Sequence, residues 1–153
     1  MEGDNMLTVS KASKKDIKEM CLLLQELFTL EKDFTPDWHK QQQGLEFILG
    51  NPQYGFLLLL KKDKEILGMA NLLVTVSTAT GGKVILLEDF IIKKSARRKG
   101  LGKYLWKKIK KLAQKEGYTR ITLLVDKDNR PAQGFYLSQG FEKSNMDCWR
   151  YYL

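Results

Sequence analysis

One junction constrains this chain more than any other feature. An extended apolar run at residues 84–92 passes through a short basic stretch with two glycines into a helix-period stripe. The stripe is Leu101, Leu105, Ile109 and Leu112, at i, i+4, i+8 and i+11, with lysines around the rest of the surface. A helix of that kind must bury its stripe, and the strand feeding it supplies a sheet to bury it on. The chain is therefore expected to be α/β (α+β): a sheet with helices packed against it.

The remaining segments fit that frame. Residues 6–9 read as a first strand. Ser13 is a candidate N-cap with Asp16 three residues on, ahead of Ile17, Met20, Leu24, Leu27 and Phe28 at helical spacing. Residues 31–37 contain Pro36 and read as a loop. Residues 38–49 form a second helix, ended by Gly50-Asn51-Pro52. Three extended runs at 56–60, 66–76 and 84–92 are separated by Asp63-Lys64 and Thr80-Gly81-Gly82, the pattern of an antiparallel meander. Gly117 is a candidate C-cap for the lysine helix. A strand at 121–125, a short helix at 131–138 closed by Gly140, and a last strand at 148–153 with Trp149, Tyr151 and Tyr152 complete the order β-α-α-β-β-β-α-β-α-β. The 153 residues suit one domain at 6–153, with residues 1–5 as a flexible leader.

Several function classes fall away. No apolar run approaches the ~20 residues of a membrane span, and the acidic start is not a signal peptide. Two cysteines, Cys21 and Cys148, make no disulfide framework; both are expected to be structural, and the cytoplasm is the expected compartment. The single histidine, His39, has no companions at ligand spacing, so no metal is expected.

Charge is concentrated at the same junction. Of 26 basic residues, 11 lie between Lys93 and Lys115 with no acidic residue among them; the other 15 face 18 acidic ones, a net of −3. That segment should meet an anion. Its first part is Arg97-Arg98-Lys99-Gly100-Leu101-Gly102. A helix start offers unpaired backbone N–H groups, and glycines there let a backbone approach a pyrophosphate. The pattern is neither a Walker loop nor a dinucleotide fingerprint, whose third glycine would fall at Leu105. A tight strand–helix turn and a phosphate cradle both remain open on the residues alone. A nucleic-acid-binding module is the rival from another class; apart from Tyr104 and Trp106 the lysine helix has no interleaved aromatics, so nucleic acid is not the expected partner.

The same residues resemble the GNAT (GCN-five-related N-acetyltransferase) superfamily, whose signature is Arg/Gln-x-x-Gly-x-Gly/Ala after the fourth strand. A second block, Asn129-Arg130-Pro131-Ala132-Gln133-Gly134-Phe135-Tyr136-Leu137-Ser138-Gln139-Gly140-Phe141, is similar to the family's Asn…Ala…Phe-Tyr…Gly-Phe segment. The resemblance implies a mixed, mostly antiparallel sheet of about six to seven strands, about four flanking helices, and a splay between the fourth and fifth strands. It implies acetyl-CoA as cosubstrate, with pyrophosphate on Arg97, Arg98, Lys99, Gly100, Leu101, Gly102 and Lys103. The pantetheine arm would lie along Phe90, Ile91 and Ile92 and bond Asn129. Tyr136 would be the acid that protonates the leaving thiolate, a role suited to a hydroxyl that stays protonated at neutral pH. A homodimer is likewise implied, with slight support from the aromatic C-terminal segment.

Glu88 and Asp89 interrupt an apolar strand, and acidic residues there are costly without a task or partner. Strand alternation puts them on opposite faces. Leu87-Glu88-Asp89-Phe90 resembles the spermidine/spermine and thialysine acetyltransferase branch, where the residue matching Glu88 faces the acceptor amine. Glu88 is expected to bind or deprotonate the amine; Asp89 is a further substrate-binding candidate. In the loop after the first helix, Glu31, Asp33 and Phe34, with Trp38 beyond, combine acid and aromatic side chains suited to a cationic amine. The expected acceptor is a small-molecule primary amine, polyamine- or amino-acid-like; a protein lysine or N-terminal amine is the alternative.

Overall fold

The apolar hairpins and the lysine helix build a five-stranded sheet in the order β1-β2-β3-β4-β5. The structure is a computed structural model that describes residues 6–153; the expected leader at 1–5 lies outside the described residues. The strands are β1 Leu7–Lys11, β2 Gly55–Lys62, β3 Glu65–Ser77, β4 Gly82–Ile92 and β5 Ile121–Leu123. The helices are α1 Ile17–Leu30, α2 Trp38–Gly50, α3 Leu101–Lys115 and α4 Arg130–Ser138, with single 3-10 turns at Lys14–Asp16 and Lys94–Ala96. The chain falls into two units, Met1–Leu123 and Leu124–Leu153.

In the first unit, β1 to β4 pair antiparallel; β2–β3 and β3–β4 are hairpins, while α1 and α2 separate β1 from β2. β5 pairs parallel to β4, because α3 carries the chain back across the sheet. Leu57 and Leu59 join a buried cluster with Met20, Cys21, Leu23 and Leu24 of α1 and Leu45 of α2. Leu58 and Leu60, which alternation turns to the other face, are equally buried. Both faces of β2 are thus covered, and each such leucine contributes roughly 1.5–3 kcal/mol of transfer free energy. Of the α3 stripe, Leu105 and Ile109 are fully buried. Ser13 and Asp16 meet as expected, the Ser13 N–H donating to Asp16 Oδ2 at 2.9 Å.

Two expectations fail. The sheet has five strands among the described residues, not six or seven, and residues 148–153 form none of them. Aromatic residues favour a strand only where a neighbouring ladder accepts them, and these make no ladder. Trp149 is 92% exposed. Cys148 is also exposed rather than buried, while Cys21 is fully buried.

The ladder between β4 and β5 covers only Ile85, Leu86 and Leu87. β4 therefore runs five residues past its β5 ladder before the chain turns towards α3. On the β3 side, Met69 faces Ile91 and Asn71 faces Glu88, so Asp89 and Phe90 together oppose Ala70. That is a β-bulge, two residues against one.

Candidate active site

The junction read from the sequence is a tight, cation-studded turn. Lys93 N–H donates to Leu67 O at 2.7 Å, anchoring the end of β4 to β3. Ala96 is buried beneath the turn. Arg98 and Gly100 both adopt left-handed backbone, at φ 62° and 77°. Gly100 is the N-cap of α3 and brings no side chain to cover the N–H groups of Leu101, Gly102 and Lys103. A Cβ on Gly100 would meet nothing within 4 Å, so the space in front of the turn is open. Arg98, Lys99 and Lys103 are exposed. Open N–H groups at a helix start, flanked by exposed cations, fit a pyrophosphate.

Arg97 has a second task. Its Nε–H turns back and donates to Ile92 O at 2.8 Å, closing the end of β4. Charge alone gave it to the anion; the structure also makes it the pin of the turn. From α1, Glu26 Oε1 accepts the Lys94 N–H at 3.2 Å, a link that sequence spacing does not reveal.

Phe90, Ile91 and Ile92 lie on the part of β4 beyond the β5 ladder and run directly into this turn. Glu88 is half-buried opposite Asn71. The bulge breaks the alternation that was expected to separate Glu88 and Asp89. Asp89 takes a left-handed conformation, φ 50°, and its Oδ2 accepts a hydrogen bond from Asn71 Nδ2 at 3.0 Å. Burial pushes the Asp89 carboxyl above the ordinary carboxylate range, and the Asn71 bond offsets part of that rise. Spacing along the sequence does not single out Asn71 as a site residue. A lone amide inside the run Gly68-Met69-Ala70-Asn71-Leu72 was the signal, since a buried polar group needs a partner.

Phe34 packs against Phe28, ring centroids 5.6 Å apart, in the loop that carries Glu31 and Asp33. Asp37 serves as N-cap of α2, accepting from Lys40 N–H at 3.1 Å. Trp38 instead borders a groove with Lys14, Lys15 and Lys18, a basic setting rather than an acidic one. Gln41 ties the loop to α1, accepting from Asp37 N–H and donating to Cys21 O. Burial, and secondarily Glu46, pushes the Cys21 thiol up, which disfavours a reactive thiolate.

In the second unit, Asn129 caps α4, its Oδ1 accepting from Ala132 N–H at 3.1 Å. Tyr136 sits edge-on to Phe135 and Phe141, at 5.3 and 5.5 Å between centroids. Gln133 Nε2 bonds the carbonyls of Asp126 and Lys127 and fixes the approach to the helix. No group of three or more His, Cys, Asp or Glu that could hold a metal occurs among the described residues. Nor is any described helix long and apolar enough to cross a membrane.

The chain is similar to known proteins. The Acetyltransferase (GNAT) family profile matches residues 18–141. The chain is 29% identical over 87 residues to an uncharacterized N-acetyltransferase, YhfO, of Bacillus subtilis, covering 57% of this chain and 58% of that protein. It is 28% identical over 113 residues to a putative [ribosomal protein bS18]-alanine N-acetyltransferase of the same organism, covering 74% and 70%. The fold superposes on a possible acetyltransferase from Clostridium difficile with a TM-score of 0.87 at 19% identity, over 97% of this chain and 98% of that one. A predicted acetyltransferase from Clostridium acetobutylicum, solved with acetyl-CoA, gives 0.76 at 16% identity, over 95% and 96%.

Proposed function

This chain belongs to the GNAT acetyltransferase family, and we propose that residues 6–153 act as one domain that moves an acetyl group from acetyl-CoA directly to a primary amine. The observation that carries the reading is the continuity of β4 with the turn before α3. Five residues of strand beyond the β5 ladder lead without a break to open helix N–H groups and exposed cations. A long, thin ligand with a phosphate end and an amide-bearing arm matches that path. Arg98, Lys99, Gly100, Leu101, Gly102 and Lys103 hold the pyrophosphate, with Arg97 fixing the turn. The pantetheine lies along Phe90, Ile91 and Ile92, and Asn129 is the residue that matches the family's pantetheine contact. Bound there, acetyl-CoA supplies an acyl group already activated as a thioester.

On the protein side, Tyr136 gives a proton to the leaving sulfur. Glu88 lies beside the acceptor nitrogen and binds it or takes its proton. We place a small cationic amine in the acceptor site, polyamine- or amino-acid-like, on the strength of the Leu87-Glu88-Asp89-Phe90 segment and of Glu31, Asp33 and Phe34. Trp38 adds little to this, because its groove is basic. One relative favours a second reading, a protein N-terminus as acceptor, since that relative is named for alanine N-acetylation. A homodimer in the cytoplasm completes the proposal; a light-scattering mass of one chain at micromolar concentration would remove the dimer.

A panel of diamines, amino acids and an alanine-started peptide, scored by release of free CoA, tests the function. Turnover of small amines is expected. Turnover of the peptide alone would select the second reading, and no binding of acetyl-CoA at millimolar concentration would remove both.

A further inference from the structure

Between the start of α1 and the length of α2 lies an open groove of about 710 Å³. One wall carries Lys14, Lys15 and Lys18, all exposed. None of the three makes an ion pair among the described residues. The other wall is one side of α2, where Trp38, Gln42, Glu46 and Gly50 follow at i, i+4, i+8 and i+12. At the helical rise of ~1.5 Å per residue, this wall is about 18 Å long. Glu46 is the one anion in the lining, and Gln42 Nε2 already donates to its carboxylate at 3.0 Å. The indole of Trp38 is 37% exposed. The fold does not ask for it there, because Asp37 supplies the cap of α2. Lysines on a plain helix surface are simply solvated. These share a concavity with an indole and with half-buried Ile17, so charge and apolar surface meet in one place.

We propose that this groove docks an acidic, partly apolar segment of another polypeptide in extended conformation. An extended chain advances ~3.3 Å per residue, so the α2 wall matches about five or six residues of it. Successive side chains of such a segment point to opposite sides. Its carboxylates meet the three ammonium groups, and its apolar side chains cover Trp38 and Ile17. Charge complementarity sets the register, and the indole supplies a buried anchor of the kind that dominates interfaces. Single-stranded nucleic acid fits less well, because it stacks successive bases on successive rings and the groove offers one ring. No lining residue belongs to the turn before α3, to β4 or to the loop with Glu31 and Asp33. Docking here therefore leaves the acetyl-CoA path untouched, and the inference does not depend on which amine is acetylated.

Fluorescence anisotropy of a labelled hexapeptide that alternates glutamate and leucine tests the groove, with the full chain and no acetyl-CoA present. The triple variant Lys14→Gln, Lys15→Gln, Lys18→Gln should weaken the peptide about tenfold or more, and the salt dependence of binding should shrink with it. Trp38→Ala should weaken it about fivefold or more. A control removes the same charge elsewhere. Lys107→Gln, Lys110→Gln and Lys111→Gln together, on the exposed side of α3, should change the affinity by less than about twofold. A single-stranded oligonucleotide of equal charge should bind more weakly than the peptide and ignore Trp38→Ala. Acetyl-CoA should bind the triple groove variant as it binds the wild type, which shows that the variant folds and separates a failed groove from a failed acetyltransferase. The proposal is overturned if the peptide does not bind at about millimolar concentration. It is overturned equally if the α3 control loses as much as the groove variant, or if Trp38→Ala binds normally. An oligonucleotide that binds more tightly than the peptide and loses affinity with the same groove variants would give the site to nucleic acid instead.

Discussion

The turn before α3 and the bulge of β4 lie at opposite ends of the same five residues, and they solve opposite problems. The turn is open, carries several exposed cations and has empty space in front of Gly100. The bulge is half-buried and brings the Asp89 carboxylate onto the amide of buried Asn71, whose Oδ1 has no partner. Both bend the backbone through left-handed residues, Arg98 and Gly100 in one and Asp89 in the other. A pyrophosphate is permanently charged and large, so many exposed donors can share it and each matters little. A carboxylate bonded to a single buried amide depends on that one partner, so the contact matters more. Contacts are therefore shared at the turn and concentrated at the bulge.

That contrast predicts an ordering of effects. The largest is expected at Tyr136, the acid of the proposed reaction. Tyr136→Phe should cut turnover by about 10²–10⁴-fold and leave acetyl-CoA affinity unchanged, because the ring and its packing on Phe135 and Phe141 survive. Steady-state kinetics beside calorimetric titration of acetyl-CoA would show this, and an unchanged kcat would break the contrast at its strong end.

Next comes the enclosed strand pair. A Cβ on Gly68 would stand 2.7 Å from Ile92 Cδ1 and 2.9 Å from Ile91 O. The backbone oxygen has nowhere to go, so Gly68→Ala should cost about 1–3 kcal/mol of stability, read from urea midpoints. Acetyl-CoA affinity should fall with it, since Ile91 and Ile92 are the residues displaced.

Gly100→Val should behave differently. The side chain has room, and the penalty comes from φ 77°, about 1–2 kcal/mol for a residue with a Cβ. The turn can relax into solvent, so the loss should appear as roughly tenfold weaker acetyl-CoA binding with the fold retained. A large drop in Tm with normal affinity would reverse the assignment of the two glycines.

The smallest effect is expected from one exposed cation. Lys99→Ala should weaken acetyl-CoA by about fivefold or less, and the difference should shrink as salt rises. A hundredfold loss would mean that the turn concentrates its binding after all.

What the sequence determined by itself was local. The meander, the buried stripe of α3 and the basic glycine turn each follow from spacing within one segment, because each segment carries its own demand for burial or for backbone freedom. The Ser13–Asp16 cap and the block from Asn129 to Phe141 were legible for the same reason. Tertiary structure decided the rest. Whether β4 slips by one residue against β3 depends on both strands at once, so neither the bulge nor the Asn71–Asp89 bond can be read from either alone. The same holds for Arg97, whose partner is a carbonyl exposed by the end of a strand, and for Asp37, used as a cap. It holds for residues 148–153, where aromatic propensity had no ladder to join. Spacing along a chain fixes what each segment needs, and the packed structure fixes which partner meets that need, because a hydrogen bond or a ladder belongs to two segments and is encoded in neither one.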